Sequence, residues 1–505
     1  MNFPCATQWS AGVQSAVLRD EARPRRLDTG ASVRVGWLLL LPLIASHCAA
    51  AALDWPTNQT RPNLVIILAD DLGWGDLSCY GQKKFSTLNL DRLAAEGMRF
   101  TQAYAGAPGG AASRGTLFTG KHTGHARIRG NYGPDGHPVA LRPEDATFLP
   151  LLRRAGYATG VIGKWGLGGD GSTGVPAGQG VDQWLGLLEL RHATNQFPAV
   201  VARFDPKQTI FTNAASYYQP IYENQNGAQA RHAQDIFTYA ASNYFRVYQP
   251  ADWSRFRPFF LHLAFALPNA GEETGTNSPA KYLGPPGRFA QEKWPEAERR
   301  KAAAVAHLDA SVGQLLRQLD ELRMAEHTVI FLTSDNAAQK DGLCDPAFFQ
   351  SNGPFRGAKG DLTEGGLRVP LLVRWPGRIK SATTNDQPVA LWDLFATVAE
   401  LAGVTNAPPT DGLSLVPTLL GKPTKAKREF LYWESHEGGF AQAIRAGDWK
   451  GIRAKPGAPL GLFNLARDPG EARDVAADHP AVVKHLETLL KSARTESSVW
   501  ETGRK

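Results

Sequence analysis

Four oxygen-bearing side chains close two apolar runs of this chain. NLVIILADD, residues 63–71, ends in Asp70 and Asp71, and TVIFLTSDN, residues 328–336, ends in Asp335 and Asn336. Unbroken apolar runs of this kind read as strands of a parallel sheet covered on both faces, and open α/β sheets keep their sites beyond the carboxyl ends of such strands. If the two ends meet, three carboxylates and an amide oxygen share one place. Like charges raise one another's pKa, so the cluster calls for a divalent cation, and oxygen-only donors choose calcium or magnesium over zinc. Taken singly, a paired Asp in a loop is as readily a helix cap or a solvated turn.

Three cations offer the complementary charge. The stretch from Ala107 to Asn131, APGGAASRGTLFTGKHTGHARIRGN, reads from Ser113 on as a small-residue turn running into a helix, which would aim backbone N–H groups and the Arg114 guanidinium at one point. Lys164 sits where the strand in YATGVIGKWGLGG, 157–169, meets a glycine-rich turn, and Lys359 sits in the glycine-rich loop of 352–377. Alone, each is an exposed loop lysine. Together with Arg114 they would face a phosphate or sulfate from the side opposite the ion and stabilise charge on its equatorial oxygens.

The order of these pieces, Asp-Asp, Arg on a helix, Gly-Lys-Trp, Ser-Asp-Asn, then Lys with Glu-Gly-Gly five residues on, resembles the type I sulfatases from about residue 61 to about residue 500. HTGHARIRGN, GKWGLGG and SNGPFRG look like the bacterial arylsulfatase-like branch. The resemblance implies an alkaline-phosphatase-like α/β fold: a large mixed sheet flanked by helices, with a smaller C-terminal α+β domain built on an antiparallel sheet. It implies that Asp70, Asp71, Asp335 and Asn336 hold one divalent ion, calcium in preference to magnesium, and that Arg114, Lys164 and Lys359 hold the sulfate of a small molecule or polysaccharide.

The departures from that family bear directly on chemistry. Its signature is Cys or Ser, any residue, Pro, Ser, Arg, in which the first residue becomes formylglycine, the nucleophile and an ion ligand. Here that position is Gly110, the Pro position is Ala112, and Ser113 and Arg114 match. Glycine has no β carbon to oxidise, so formylglycine cannot form at Gly110. Family members also carry histidines where this chain has Gly166, Thr194, Asn269 and Gln339, and none of these shuttles a proton near neutral pH. Loss of a nucleophile costs on the order of a millionfold in turnover. The sequence therefore reads as a degenerate sulfatase, a pseudoenzyme that keeps its ion and sulfate site. Two alternatives stand beside it: an active hydrolase in which ion-bound water attacks directly, and a non-catalytic binder of sulfated glycans. Ser113 and Thr116 are the substitute nucleophiles to consider.

Several elements must position these groups. Helices are expected over 86–100, stopped by Gly97, over 149–155, over 299–324, over 391–403 and over 480–492, and a further apolar strand over 258–269. Residues 171–250 read as loop-rich rim and 270–290 as a long covering loop. From about Pro408 short strands take over, which divides the chain into a leader at 1–52, a catalytic-type domain at 60–405 and a C-terminal domain at 406–505. WLLLLPLI, 37–44, preceded by Arg34 and followed by alanines, reads as a secretory signal, too short to span a bilayer, and implies export to the periplasm or outside.

Composition narrows the classes further. At 505 residues and 43% apolar, the chain can bury a large core. Its net charge of +7 is spread among interspersed charges of both signs without a long basic run, which argues against nucleic acid as a partner. Of four cysteines, Cys5 and Cys48 fall in the leader, and Cys79 and Cys344 either pair or lie buried as small apolar residues.

Overall fold

The computed structural model describes residues 61–190, 192–204, 217–250, 257–269, 283–340, 344–424 and 426–502. The leader and signal expected at 1–52 lie outside them, as do residues 270–282 of the covering loop expected over 270–290. Among the described residues no helix is long and apolar enough to cross a membrane.

A ten-stranded mixed sheet organises the chain. Its centre is five parallel strands in the order β9 (Thr328–Ser334), β1 (Asn63–Asp70), β8 (Phe259–Pro268), β4 (Ala158–Lys164) and β5 (Gln183–Leu187). Beyond β9 lie β10 (Leu371–Arg374), β2 (Met98–Phe100) and β11 (Thr383–Asn385); beyond β5 lie β6 (Val200–Phe204) and β7 (Tyr217–Pro220). β10 runs antiparallel to β9, and β6 antiparallel to β5, so the sheet is mixed only toward its edges.

The unbroken apolar run in β1 is explained by its burial on two sides. Leu64, Ile66 and Leu68 enter one core, and Val65, Ile67 and Ala69 the other. The first core is covered by α2 (Gly110–Thr119), α3 (Phe148–Arg154) and α6 (Asp393–Leu401). The second is covered by α1 (Leu88–Ala95), α4 (Ala233–Val247) and α5 (Glu296–Glu321), the last presenting Val305, Leu308, Val312, Leu315, Leu316 and Leu319 at spacings of three and four.

Two expectations are corrected. Residues 171–250 are not mainly loop: they supply β5, β6, β7 and the fifteen-residue helix α4. The apolar face of α4, with Phe237, Ala241, Tyr244 and Phe245, is diluted by Thr, Ser and Asn, which hides its period in the sequence. The helix expected over 86–100 is shorter, Leu88–Ala95, because the chain turns at Gly97 into β2. A β carbon on Gly97 would stand 2.1 Å from the Val373 carbonyl oxygen, so only glycine lets the chain pass β10 there. Cys79 and Cys344 are not joined in a disulfide, and both are half-buried.

The C-terminal strands form an antiparallel sheet, β13 (Leu431–Ser435), β14 (Ala441–Ala446), β15 (Trp449–Arg453) and β16 (Gly461–Asn464), against which α7 (Pro480–Ser492) packs Leu486, Leu489 and Leu490. A two-stranded ribbon of β3 (Ala103–Tyr104) and β12 (Val389–Ala390) lies beside it.

The small sheet is joined to the rest by a fully buried ion cluster. Lys450 on β15 donates to Glu364 at 2.9 Å and lies 3.0 Å from Glu471, all with no side-chain exposure. Arg368 and Tyr104 also donate to Glu364, and burial, which alone would raise its pKa, is overcome by Lys450 and Arg368, which pull it down to about 2. Glu364 begins the single helical turn that follows the Lys359 loop, so the cluster anchors that loop. Lys450→Met would take the cation from buried Glu471 and leave Glu364 paired with Arg368. It is expected to lower the unfolding free energy by about 3–5 kcal/mol in urea titrations.

Candidate active site

β1 and β9 run parallel and in register, Ala69 opposite Ser334, so their carboxyl ends bring Asp70, Asp71, Asp335 and Asn336 together. All four are at most 1% exposed. Asp71 adopts a left-handed backbone, φ 64°, which turns the chain back so that its N–H donates to Asp335 Oδ1 at 3.2 Å. Asn336 donates its amide to Asp71, and Ser334 Oγ accepts from Leu72 N and donates to the Asn336 carbonyl. The acids are thus fixed by their own strand ends.

The three cations reach the same point from three elements. Arg114, fully buried on α2, donates from Nη2 to Asp335 Oδ2 at 2.9 Å and from Nη1 to the Lys164 carbonyl at 2.9 Å. Lys164, the last residue of β4, donates to Asp70 Oδ2 at 2.5 Å. Lys359 donates to Asp71 Oδ2 at 2.9 Å and to Gln339 Oε1 at 3.1 Å. The seven polar and charged residues singled out from the sequence for the ion and the sulfate therefore meet, but the cations pair directly with the carboxylates instead of standing across from them. Three buried negative charges need compensation, and three positive groups supply it.

Electrostatics separate the acids. Burial would raise Asp70, but Lys164 and Arg114 outweigh it and hold its pKa below the ordinary value. Asp335 goes the other way: burial and the neighbouring Asp70 push it up to about 7 against the pull of Arg114. Lys359 is raised; burial opposes its charge, and Asp71 and Asp70 more than restore it.

The donor set fits a hard divalent ion. One oxygen from each of Asp70, Asp71 and Asp335 can lie within 4.8 Å of the others. Asn336 Oδ1 is buried without a hydrogen-bond partner, a lone pair that a cation would satisfy. A second group, His122, His125 and Asp411, is engaged internally. His122 Nδ1 accepts from Gly124 N, which leaves the proton of the neutral ring on Nε2, and His125 pairs with Asp411 at 2.9 Å. That group clamps the loop after α2 to the segment around Asp411.

Gly110 is the first residue of α2, and its α carbon faces the acids. A β carbon there would stand 3.1 Å from Asp335 Oδ2, 3.8 Å from Asn336 Oδ1 and 4.0 Å from Asn131 Oδ1. The substitute nucleophiles are held by backbone: Ser113 Oγ accepts from Gly106 N at 3.0 Å, and Thr116 Oγ1 donates to the Ser113 carbonyl at 2.7 Å. Both are fully buried.

The missing histidines have local reasons or replacements. Gly166 has φ 78°, a left-handed backbone that a residue with a β carbon adopts only under strain. Gln339 holds Lys359 through its side-chain oxygen. Asn269 follows Pro268, which is opposite Asp70, and is 4% exposed beside the acids. Thr194 ends a short helical turn, His192–Thr194.

Two residues went unmarked in the sequence. Asn131 caps α2, accepting from Ala111 N at 2.9 Å, and Glu437, from the β13–β14 hairpin, accepts from Asn131 N at 3.1 Å. They are 306 positions apart, and only the fold brings them together.

Residues 62–404 match the family described as sulfatase, and residues 359–496 match the one described as N-sulphoglucosamine sulphohydrolase, C-terminal. The chain is 32% identical over 481 residues to the N-acetylgalactosamine-6-sulfatase of Canis lupus familiaris, covering 86% of this chain and 85% of that one. It is 30% identical over 504 residues to the N-acetylgalactosamine-6-O-sulfatase of Bacteroides thetaiotaomicron, covering 87% and 94%. It is similar in structure to Ps i-CgsB in complex with k-i-k-neocarrahexaose, with a TM-score of 0.69 and 26% identity over 86% of this chain and 93% of that one.

Asp335 gives the site a pH signature in chelator-treated protein. Its folded pKa, about 7, lies above the ordinary 3.8, so its contribution to stability is complete below 3.8 and is lost as pH rises through 7. The melting temperature of the native chain minus that of Asp335→Asn is expected to fall between about pH 5 and pH 8. A difference that stays flat or rises contradicts the raised pKa.

Proposed function

This chain belongs to the sulfatase family, and from that premise we propose that it binds a divalent ion and the sulfate ester of a glycan but hydrolyses the ester poorly or not at all. The observation that carries the proposal is Gly110. The chain places hydrogen where the family's nucleophile stands, while every charged group around that point is kept.

Asp70, Asp71, Asp335 and Asn336 would hold the ion, calcium in preference to magnesium. When bound, it would polarise an ester oxygen as a Lewis acid. Arg114 stays fixed by the Lys164 carbonyl and lends its guanidinium to a sulfate oxygen. Lys164 and Lys359 exchange carboxylate contacts for sulfate contacts, so the ligand would enter a site already rich in donors. Among the described residues at this point, Gly110 offers no group to attack sulfur, and Gly166, Asn269 and Gln339 offer no imidazole to protonate the leaving oxygen. Ser113 and Thr116 are engaged with backbone, and Gln339 and Asn269 carry amides. Binding without turnover is the outcome.

A glycan ester as ligand is supported by the named relatives, which are N-acetylgalactosamine 6-sulfatases, and by the neighbour crystallised with a carrageenan oligosaccharide. The export signal read at residues 37–44 agrees with a polymer met outside the cytoplasm.

The test is turnover of 4-methylumbelliferyl sulfate by the purified chain with calcium. The native protein is expected to show no rate that Asp70→Ala abolishes. Gly110→Cys with Ala112→Pro, co-expressed with a formylglycine-generating enzyme, is expected to gain turnover that Asp70→Ala abolishes, since the covalent step returns, at a rate still limited by the missing imidazoles. Ala112 lies in the first turn of α2, where a proline sacrifices no helical hydrogen bond. Native turnover sensitive to Asp70→Ala would overturn the proposal in favour of attack by ion-bound water.

A further inference from the structure

Glu437 stands at the rim of the site on an element of the C-terminal sheet, and nothing in the sulfate-binding set uses it. Its Oε1 accepts from Asn131 N at 3.1 Å and lies 2.9 Å from where a β carbon on Gly109 would be. Asn131 Oδ1 caps α2 and comes within 4.0 Å of the corresponding point on Gly110. Along the start of α2, Gly110 therefore faces the buried acids and Gly109 faces Glu437. The residue is exposed, and no other partner engages its carboxylate among the described residues.

This placement is built, not incidental. Gly438 and Gly439, at φ 76° and 118°, fold the hairpin tip tightly enough to present the preceding residue. Behind it the buried Glu434 on β13 receives Arg129 at 2.9 Å and Arg494 at 3.0 Å, and its own N–H donates to Thr123 Oγ1 at 2.7 Å. Those contacts pin the hairpin to the loop after α2. Gly109 then leaves the space the carboxylate fills.

We propose that Glu437 reads the sugar that carries the sulfate. With the sulfate among Arg114, Lys164 and Lys359, the rest of the ligand must leave the pocket past the exposed rim. A carboxylate there accepts hydrogen bonds from ring hydroxyls or an amide N–H, and it repels a second sulfate or a uronate at the same place. The site is therefore selective for a monosulfated, otherwise neutral sugar. This rests on the sulfate-binding reading of the site given above.

Calorimetry on the full chain with calcium separates the two claims, using inorganic sulfate, N-acetylgalactosamine 6-sulfate and N-acetylgalactosamine 4,6-disulfate as probes. The native protein is expected to bind the monosulfate about tenfold more tightly than the disulfate. Glu437→Gln, which keeps an acceptor for Asn131 N, should weaken the monosulfate about tenfold, erase the preference and leave inorganic sulfate unchanged or slightly tighter. Gly109→Ala, whose methyl group displaces the carboxylate, should do the same. Equal effects of Glu437→Gln on sulfate and on both sugars, no effect on any of them, or a native protein that binds sulfate and neither sugar would overturn the proposal. Failure of the native chain to bind inorganic sulfate would instead bring down the underlying reading, because Glu437 plays no part in that arm.

Discussion

Three carboxylates buried where two parallel strands end are the constraint to which the rest of this molecule answers. Asp70, Asp71 and Asp335 cannot be desolvated as anions without counter-charge, and the cost of leaving any one unpaired is several kcal/mol. The sheet order follows from that need. β4 lies next to β8, which lies next to β1, so Lys164 arrives at Asp70; α2 crosses the strand ends, so Arg114 arrives at Asp335. Lys359 comes from a loop whose far end is tied into the buried Lys450 cluster. The left-handed backbone of Asp71 is part of the same arrangement, a strained residue held by its contacts to Asp335 and Asn336.

Gly110 changes chemistry without changing this electrostatic frame. Ion and sulfate binding depend on charge placement, and all the charges are in place. Covalent catalysis depends on one atom type at one point, 3.1 Å from Asp335, and the chain does not provide it. The surrounding changes share that direction: an amide at Gln339, an amide at Asn269 and a left-handed glycine at Gly166. On the proposed reading, a pocket with these charges and no nucleophile at Gly110 is suited to recognition, with the C-terminal hairpin adding contact at the rim.

Much of this was legible in the sequence because the signals were local. Apolar runs that end in acids mark β1 and β9, and the spacing of leucines marks α5; the strand-rich C-terminal pattern likewise marks the small antiparallel sheet. Asp70, Asp71, Asp335, Asn336 and Lys164 meet because strand ends in a parallel sheet share one edge, and Arg114 and Lys359 join them from α2 and a loop. What stayed hidden was non-local or diluted. The period of α4 is blurred by Thr238, Ser242 and Asn243, and the strands β5 to β7 are short and half-exposed at the sheet edge. The direct pairing of cations with carboxylates could not be read from types and spacing, since both sets suit either arrangement. Asn131 and Glu437 carry no pattern at all; their meaning depends on a hairpin from the far end of the chain reaching the start of α2.

The most direct measurement is a calorimetric calcium titration of the purified, chelator-stripped chain, repeated on Asp335→Asn. One ion bound per native chain, with binding lost in the variant, is the result that follows from an intact acid cluster around a missing nucleophile. No calcium binding by the native chain, or equal binding by both proteins, would contradict it.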